Sequence, residues 1–309
     1  MSTLELRQLK YVLAVAEAGS FTQAAQNIHI SQPSLSQQIR LLEKELGVEL
    51  FRRGPGGVQI TPAGEIAVRQ ARAVLRNIAG MRQELDDLNE LKHGSVTIGT
   101  LPMTGGQILP PVLAAFTHSY PGIRIHLVEE RTPQLLAVTL AGQTDFSLLT
   151  LPLEYEELTW EPLIEEELLL AVPVGHKLAG AGGVTLKDAA GEEFVLLKTG
   201  NGFRTVCDAK CMAAGFTPNC VFETDNIETA KALVSAGMGV TLVPELIAGI
   251  TPQANTTHKQ QFYRGTAGIT YIRLQPAPTR TVVVAWRRDH YLSKAAHAFH
   301  RQLAEYWTQ

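Results

Sequence analysis

A chain of 309 residues, 45% hydrophobic and 18% charged, is long enough for about two domains with cores of their own, which excludes a disulfide-stapled miniprotein, a disordered chain and a fibre. Its formal net charge of −3 excludes a polycation that coats nucleic acid indiscriminately, so any contact with DNA has to come from a local patch. No run reaches the roughly 18 apolar residues of a membrane span, and Glu5, Arg7, Lys10 and Glu17 interrupt the first residues as no secretory leader tolerates, so the expectation is a cytoplasmic protein with no membrane partner.

From Leu4 to about Thr61 the pattern is short and helical, broken at Gly19, between Ile30 and Pro33, at Gly47 and in the Gly54–Gly57 cluster. Thr22 is placed to cap one helix and Ser31 the next, with Pro33 in its first turn. In that second helix Leu35, Ile39, Leu42 and Leu46 form an inward stripe. Gln32, Ser34, Ser36, Gln37 and Arg40 are left outside, a set of hydrogen-bonding groups suited to base edges and phosphates. A polar stripe alone is usually a solvated face. Here it is followed by LFRRGPGGVQIT, a basic hairpin that offers Arg52 and Arg53 to phosphate oxygens, and the order of parts points to double-stranded DNA.

From Pro62 to about Lys92 a single helix of about thirty residues is expected. Along it Ala67, Ala71, Val74, Ile78, Met81, Leu85 and Leu88 alternate four and three apart, the period of a helix that pairs with another helix. The competing reading packs this stripe on its own domain. Pairing would compensate the near balance of acids and bases before Thr61, because two linked heads engage paired half-sites. Arg69, Arg72 and Arg76 are additional candidates for phosphate.

After Ser95, β-branched runs (VTIGT, IRIHLVEE, DFSLL, LLLAV, FVLL, VTLVP, GITYI, TVVVAW) alternate with helical segments, the mark of an α/β sheet with crossover helices. The expected boundaries are 1–61 for the head, 62–92 for the linker helix and 93–309 for a two-lobed domain, with lobe 1 at about 94–165 and 269–309 and lobe 2 at about 166–268. Ligands of open α/β sheets sit at carboxyl ends of strands against helix N-termini. Those ends offer Thr100, Thr132, and Thr199, Gly202, Phe203 and Arg204, a cradle for a small carboxylate. Threonines after strands are also ordinary caps, and Arg204 has Glu223 or Asp225 as an alternative partner.

Cys207 and Cys211 lie four apart on a predicted helix, with Cys220 beyond; a thiol redox switch is the sharp reading and buried small hydrophobes the bland one. His297 and His300 lack a third ligand at metal spacing. No nucleophile elbow, phosphate-binding loop, zinc helix or complete dinucleotide fingerprint is present. Neither enzyme activity, a metal nor a cofactor is expected, although an α/β enzyme or plain solute-binding protein is the competing class for the C-terminal part.

The segment LRQLKYVLAVAEAGSFTQAAQNIHISQPSLSQQIRLLEKELGVELFRR, followed by TPAG, resembles the winged helix-turn-helix of LysR-type transcriptional regulators, and the rest follows that family's plan less tightly. The resemblance implies an N-terminal all-α winged helix-turn-helix with a long linker helix and a C-terminal α/β two-lobed sensor like type 2 periplasmic binding proteins. It implies a dimer, assembled further into a tetramer, at a partly palindromic promoter site, a small-molecule inducer, and RNA polymerase as a further partner. It also makes the helix from Ser31 the recognition helix, has Phe21, Ala24 and Ala25 pack the two helices together, and has Thr100, Thr132 and Phe203 line the inducer site. Family members that sense peroxide carry cysteines near Cys207 and Cys211, and the match to their positions is partial.

Overall fold

In the computed structural model, which describes residues 4–54, 57–86, 94–250, 262–264 and 268–308 and no side chain at 53, 76, 79, 82–86, 262–264 or 308, the chain divides into Met1–Leu88 and Asn89–Gln309. In the first unit, helix α1 (Leu6–Ala18) stops where Gly19 turns left-handed at φ 60°, a conformation a β-carbon disfavours. Helix α2 (Phe21–Asn27) is capped by Ser20, whose Oγ accepts from the Gln23 amide at 3.4 Å. Thr22, expected as the cap, lies inside the first turn, too late to meet the free amides. Helix α3 (Gln32–Leu46) is capped by Ser31, with the Ser34 amide donating to Oγ at 3.4 Å and Pro33 in the first turn.

Strands β1 (Phe51–Gly54) and β2 (Gly57–Ile60) form the expected antiparallel wing. The Glu43 carboxylate of α3 anchors it, accepting from the amides of Leu50 and Phe51 at 2.8 and 3.1 Å. Helix α4 (Pro62–Asp86) follows; it accounts for 25 of the roughly thirty helical residues expected, and 87–93 lie outside the described residues. The TPAG turn has a physical reason. Thr61 caps α4 through the Gly64 amide at 3.0 Å, and a β-carbon on Gly64 would stand 2.1 Å from the Leu50 carbonyl oxygen.

Val12, Val15, Ala24, Ala25, Leu35, Ile39, Leu42, Leu50 and Phe51 make the core of this unit, with Phe21 packed edge-on against Phe51 at 6.1 Å. Leu46, expected on the inward stripe, is 42% exposed, where α3 ends at left-handed Gly47.

The second unit opens with β3 (Gly94–Thr100), α5 (Pro102–Ser119), β4 (Ile123–Glu129), α6 (Thr132–Leu140) and β5 (Phe146–Thr150); β3 pairs in parallel with both β4 and β5. Then β6 (Leu158–Pro173) runs through both lobes. A 3-10 turn (Leu186–Ala189), β7 (Glu193–Leu197), α7 (Gly202–Ala213), β8 (Asn219–Thr224), α8 (Ile227–Ser235) and β9 (Thr241–Pro244) follow. The chain closes with β10 (Phe262–Arg264), β11 (Ile269–Arg273), β12 (Thr279–Arg287) and α9 (Lys294–Thr308).

The large sheet has the order β10-β11-β6-β12-β5-β3-β4, with β9 also on β6; β7 and β8 pair separately in parallel. Each lobe has its own core. One packs Val96, Ile98, Phe146, Leu148, Val282 and Val284 under α5 and α9, and the other gathers β7, α7, α8, β9 and the second half of β6. Ile269, Tyr271, Ile272 and Leu274 belong to the second core. The return crossing therefore follows Leu274, later than the expected lobe boundary at 269, because β11 pairs with Leu169–Pro173 at the far end of β6.

Candidate functional site

Helix α3 presents two unlike sides. Leu35, Ile39 and Leu42 are at most 1% exposed, whereas Pro33, Ser34, Gln37 and Arg40 are exposed and Gln32 is half-buried. Ser36, expected on the outer face, is buried at 4%, since it lies one helical turn before Ile39 and beside Leu35. It works from within: Gln32 Nε2 donates to Ser36 Oγ at 2.8 Å, and Arg40 Nε donates to the Ser36 carbonyl at 3.2 Å. Both contacts orient the long side chains that flank the outer face. On the wing, Arg52 is exposed and pairs with Glu49 at 3.2 Å; the Arg53 side chain is outside the described residues.

The stripe on α4 divides. Ala71 is 1% exposed and Ala67 packs on the core of its own unit, so the small residues at this end serve α4's contact with the head. That corrects the expectation of Ala71 in a seam. Farther along, Val74 and Met81 are 40% and 53% exposed and Ile78 is half-buried. The Leu85 side chain and Leu88 lie outside the described residues. Arg72 is committed to Glu17 of α1 at 3.3 Å, Arg69 is exposed, and the Arg76 side chain is not described.

In the second unit, the strand-end residues come together across the two lobes. Thr132 opens α6 and accepts, through Oγ1, the Gly202 amide at 2.9 Å. That amide belongs to the first turn of α7 and has no intrahelical partner, so one lobe caps a helix of the other. Beside it Arg131 reaches Asp225 at 3.1 Å, and Lys198 reaches the same carboxylate at 2.9 Å. The Lys198 hydrogen bond, with help from Arg131, holds the Asp225 pKa below its ordinary value. Phe203 is buried at 2%, with the Arg280 guanidinium 5.3 Å from its ring centre.

Two expected ligands are otherwise engaged. Arg204 donates to both oxygens of Asp208 at 2.9 Å, to the Leu197 carbonyl at 2.8 Å and to Glu223 at 2.7 Å. Burial opposes its charge, yet Glu223 and Asp208 raise its pKa, so it is a bracket between α7 and β8 and not an open cation. Thr100 is fully buried, and its hydroxyl donates to the Leu101 carbonyl at 3.1 Å. Thr199 is exposed. Asp145 exchanges hydrogen bonds with the Thr97 backbone at 2.6 and 2.8 Å and so ties the turn before β5 to β3.

Sequence reasoning missed Arg280 and Glu166. Arg280 Nε and Nη2 meet Glu166 Oε1 at 2.8 and 2.6 Å, both residues are at least 96% buried, and the Leu246 amide donates to the other Glu166 oxygen at 3.1 Å. Nearby on the crossing strands, Arg273 bridges Glu167 and Glu245. The signal was available: Arg280 is in phase with Val282 and Val284 on one face of β12, where a charge is out of place.

The thiols do not form a poised pair. Burial pushes Cys207 strongly upward and Cys211 up to about 12, and Asp208 adds to both, so each stays protonated at neutral pH. Burial also raises half-buried Cys220. His300 packs against Trp286 and Phe146 and reaches Glu161 at 3.5 Å, while His297 is exposed. Among the described residues no group of three or more His, Cys, Asp or Glu could hold a metal, and no helix is long and apolar enough to cross a membrane.

Comparison with known proteins covers both units. A family model described as bacterial regulatory helix-turn-helix protein, lysR family, matches residues 6–65, and one described as LysR substrate binding domain matches 89–308. The HTH-type transcriptional regulator YcgK of Bacillus subtilis is 34% identical over 314 residues, covering 96% of this chain and 93% of the relative. The DNA-binding transcriptional dual regulator OxyR of Escherichia coli is 34% identical over 285 residues, covering 92% and 90%. Among solved structures, a full-length OxyR variant from Pseudomonas aeruginosa superposes with a TM-score of 0.72 at 26% identity, over 99% of this chain and 95% of that one.

Proposed function

Because the chain belongs to the LysR family of transcriptional regulators, we propose that α3 enters the major groove of promoter DNA with Gln32, Pro33, Ser34, Gln37 and Arg40 toward the base edges, while Arg52 and Arg53 meet phosphates. The sidedness of α3 carries this reading: one side is sealed by Leu35, Ile39 and Leu42, and the other is a polar face left exposed among the described residues of its unit. One head alone has little positive excess, since Arg52 leans on Glu49. Two copies joined along α4 through Val74, Ile78 and Met81, with Leu85 and Leu88, would hold two α3 helices on the half-sites of a partly palindromic site. Exposure of Val74 and Met81 supports that seam. Two such dimers make a tetramer, acting in the cytoplasm and beside RNA polymerase.

The second unit takes a small anionic inducer between its lobes, where Thr132, Gly202 and Phe203 meet. The ligand works by differential affinity: it favours one packing of the dimers, which resets the spacing of the heads and the bend in the DNA. A ligand that binds both packings equally shifts nothing. The protonated state of Cys207 and Cys211 favours this over a thiol switch. Gel-shift titration against cognate and scrambled duplexes tests the DNA assignment. Arg40→Ala should relax discrimination by about 1–3 kcal/mol, and Arg52→Ala should chiefly lower the salt slope. Equal weakening on every duplex from both variants would refute the base-reading role.

A further inference from the structure

The row of α3 that borders its outer face is Gln32, Ser36 and Arg40, spaced four residues apart so that each stands nearly above the last, turned by about 40° per step. Its members differ in exposure: Gln32 is half-buried, Ser36 is 4% exposed, and Arg40 is exposed. Packing and helix propensity do not call for a serine in the middle row, beside fully buried Leu35, since alanine has nearly the same size and is the better helix former. Ser36 is used for its oxygens. Its Oγ accepts from Gln32 Nε2 at 2.8 Å and its carbonyl accepts from Arg40 Nε at 3.2 Å, so one residue holds both of its neighbours in the row.

The first contact fixes what Gln32 shows to a partner. A carboxamide has two unlike ends, an acceptor oxygen and a nitrogen with two protons, and an unrestrained glutamine presents either one. A serine inside a helix has the carbonyl of the preceding turn for its own proton, which leaves Oγ free to accept. With one N–H of Gln32 committed to that oxygen, Oε1 and the second N–H remain. This acceptor beside a donor matches adenine in the major groove, whose N6 amine donates and whose N7 accepts. Guanine offers two acceptors there, N7 and O6, and would set Oε1 against another oxygen. The contact also orders the long side chain before DNA arrives, which lowers the entropy lost on binding.

We propose that Ser36 is a positioning residue for base reading: its buried hydroxyl holds the Gln32 carboxamide in the orientation that selects adenine and rejects guanine. The assignment rests on α3 as the groove-facing helix and adds the base that its first turn selects. Arg40 supplies an internal control. Its Nε is held by the Ser36 backbone, a contact that survives any substitution of the Ser36 side chain, and its two terminal nitrogens are left for DNA.

The test uses the full chain and duplexes selected from a random pool, with competition binding to every base pair at each position. Gln32→Ala identifies the position that Gln32 reads, and Arg40→Ala the position that Arg40 reads. At the Gln32 position the parent should prefer adenine to guanine by roughly tenfold or more, and Ser36→Ala should reduce that to about threefold or less. Discrimination at the Arg40 position and affinity for scrambled duplex should be unchanged in Ser36→Ala, and its melting temperature no lower. Ser36→Thr, which keeps the hydroxyl, should restore the preference. In the Gln32→Ala background, Ser36→Ala should change nothing further at that position; this comparison decides if the threonine variant fails to fold. A preference that survives Ser36→Ala, a loss spread evenly over selected and scrambled duplexes, a further loss in the Gln32→Ala background, or guanine preferred at the Gln32 position would each overturn the positioning role. Gln32→Ala that alters no position on any duplex would instead refute the placement of the first turn of α3 in the groove, and the positioning role with it.

Discussion

Replacing Thr132 by Val removes a hydrogen bond that joins the two lobes without changing the shape of the side chain. The Gly202 amide then loses its 2.9 Å acceptor, and as a first-turn amide of α7 it has no other. A neutral hydrogen bond of this kind contributes about 0.5–1.5 kcal/mol net. The Arg131–Asp225 pair at 3.1 Å is mostly exposed and screened by salt, so little of the clasp rests on it. At about 1 kcal/mol for that hydrogen bond, Thr132→Val should shift the balance between closed and open lobes about fivefold. Amide hydrogen exchange followed by NMR reads this directly: protection of Gly202 should fall by about that factor, while amides in the centre of β12 should not change. Gly202→Ala supplies an independent perturbation, because its β-carbon would stand 2.9 Å from Thr132 Oγ1 and displace the hydroxyl from the Gly202 amide. Unaltered exchange at Gly202 in Thr132→Val would show that the clasp does not hold the lobes, and the reasoning from this contact would fail.

In the head, Gly64→Ala should destabilise the first unit by roughly 1–3 kcal/mol, because its β-carbon meets the Leu50 carbonyl, which no side-chain rotation relieves; denaturant unfolding that matches the parent would refute this. In the second unit, burial holds the His300 imidazole below its ordinary pKa of 6.5, with His297 adding to the effect and Glu161 opposing it. A depressed folded-state value means that the unfolded chain binds the proton more readily. Stability from this group is therefore complete above pH 6.5 and declines as the pH falls through the folded value. Urea unfolding between pH 7.5 and 5.5 should show that decline, and His300→Gln should make it shallower.

The parts legible in the sequence are those whose partners are local. The Leu35, Ile39, Leu42 spacing reveals the buried side of α3, and Ser31 with Pro33 marks its start. Ser36 was misplaced because a polar residue next to such a stripe turns inward whenever a neighbour, here Gln32, satisfies its hydroxyl. β8 went unread: Asn219, Val221, Phe222 and Glu223 are all exposed, so it lacks the alternation of a half-buried strand. The first half of β6 was hidden by Glu161, Pro162, Glu165 and Glu166, with Pro162 opposite a register shift in β12. In the sensor unit the errors are non-local. Arg204 resembled an open cation because its partners lie on another strand and in the following turn of its helix. Arg280 acquires meaning only when β12 is laid beside β6 and Glu166 comes into line.

The central claim, that two copies of α3 read one duplex together, is tested most directly by hydroxyl-radical footprinting of the full chain on a duplex selected from a random pool. The account predicts two protected patches on one face of the DNA, their centres about one helical turn, or a whole multiple of it, apart. It also predicts that Ile78→Asp removes both at concentrations where the parent protects fully. A single patch, or a footprint that Ile78→Asp leaves intact, would contradict it.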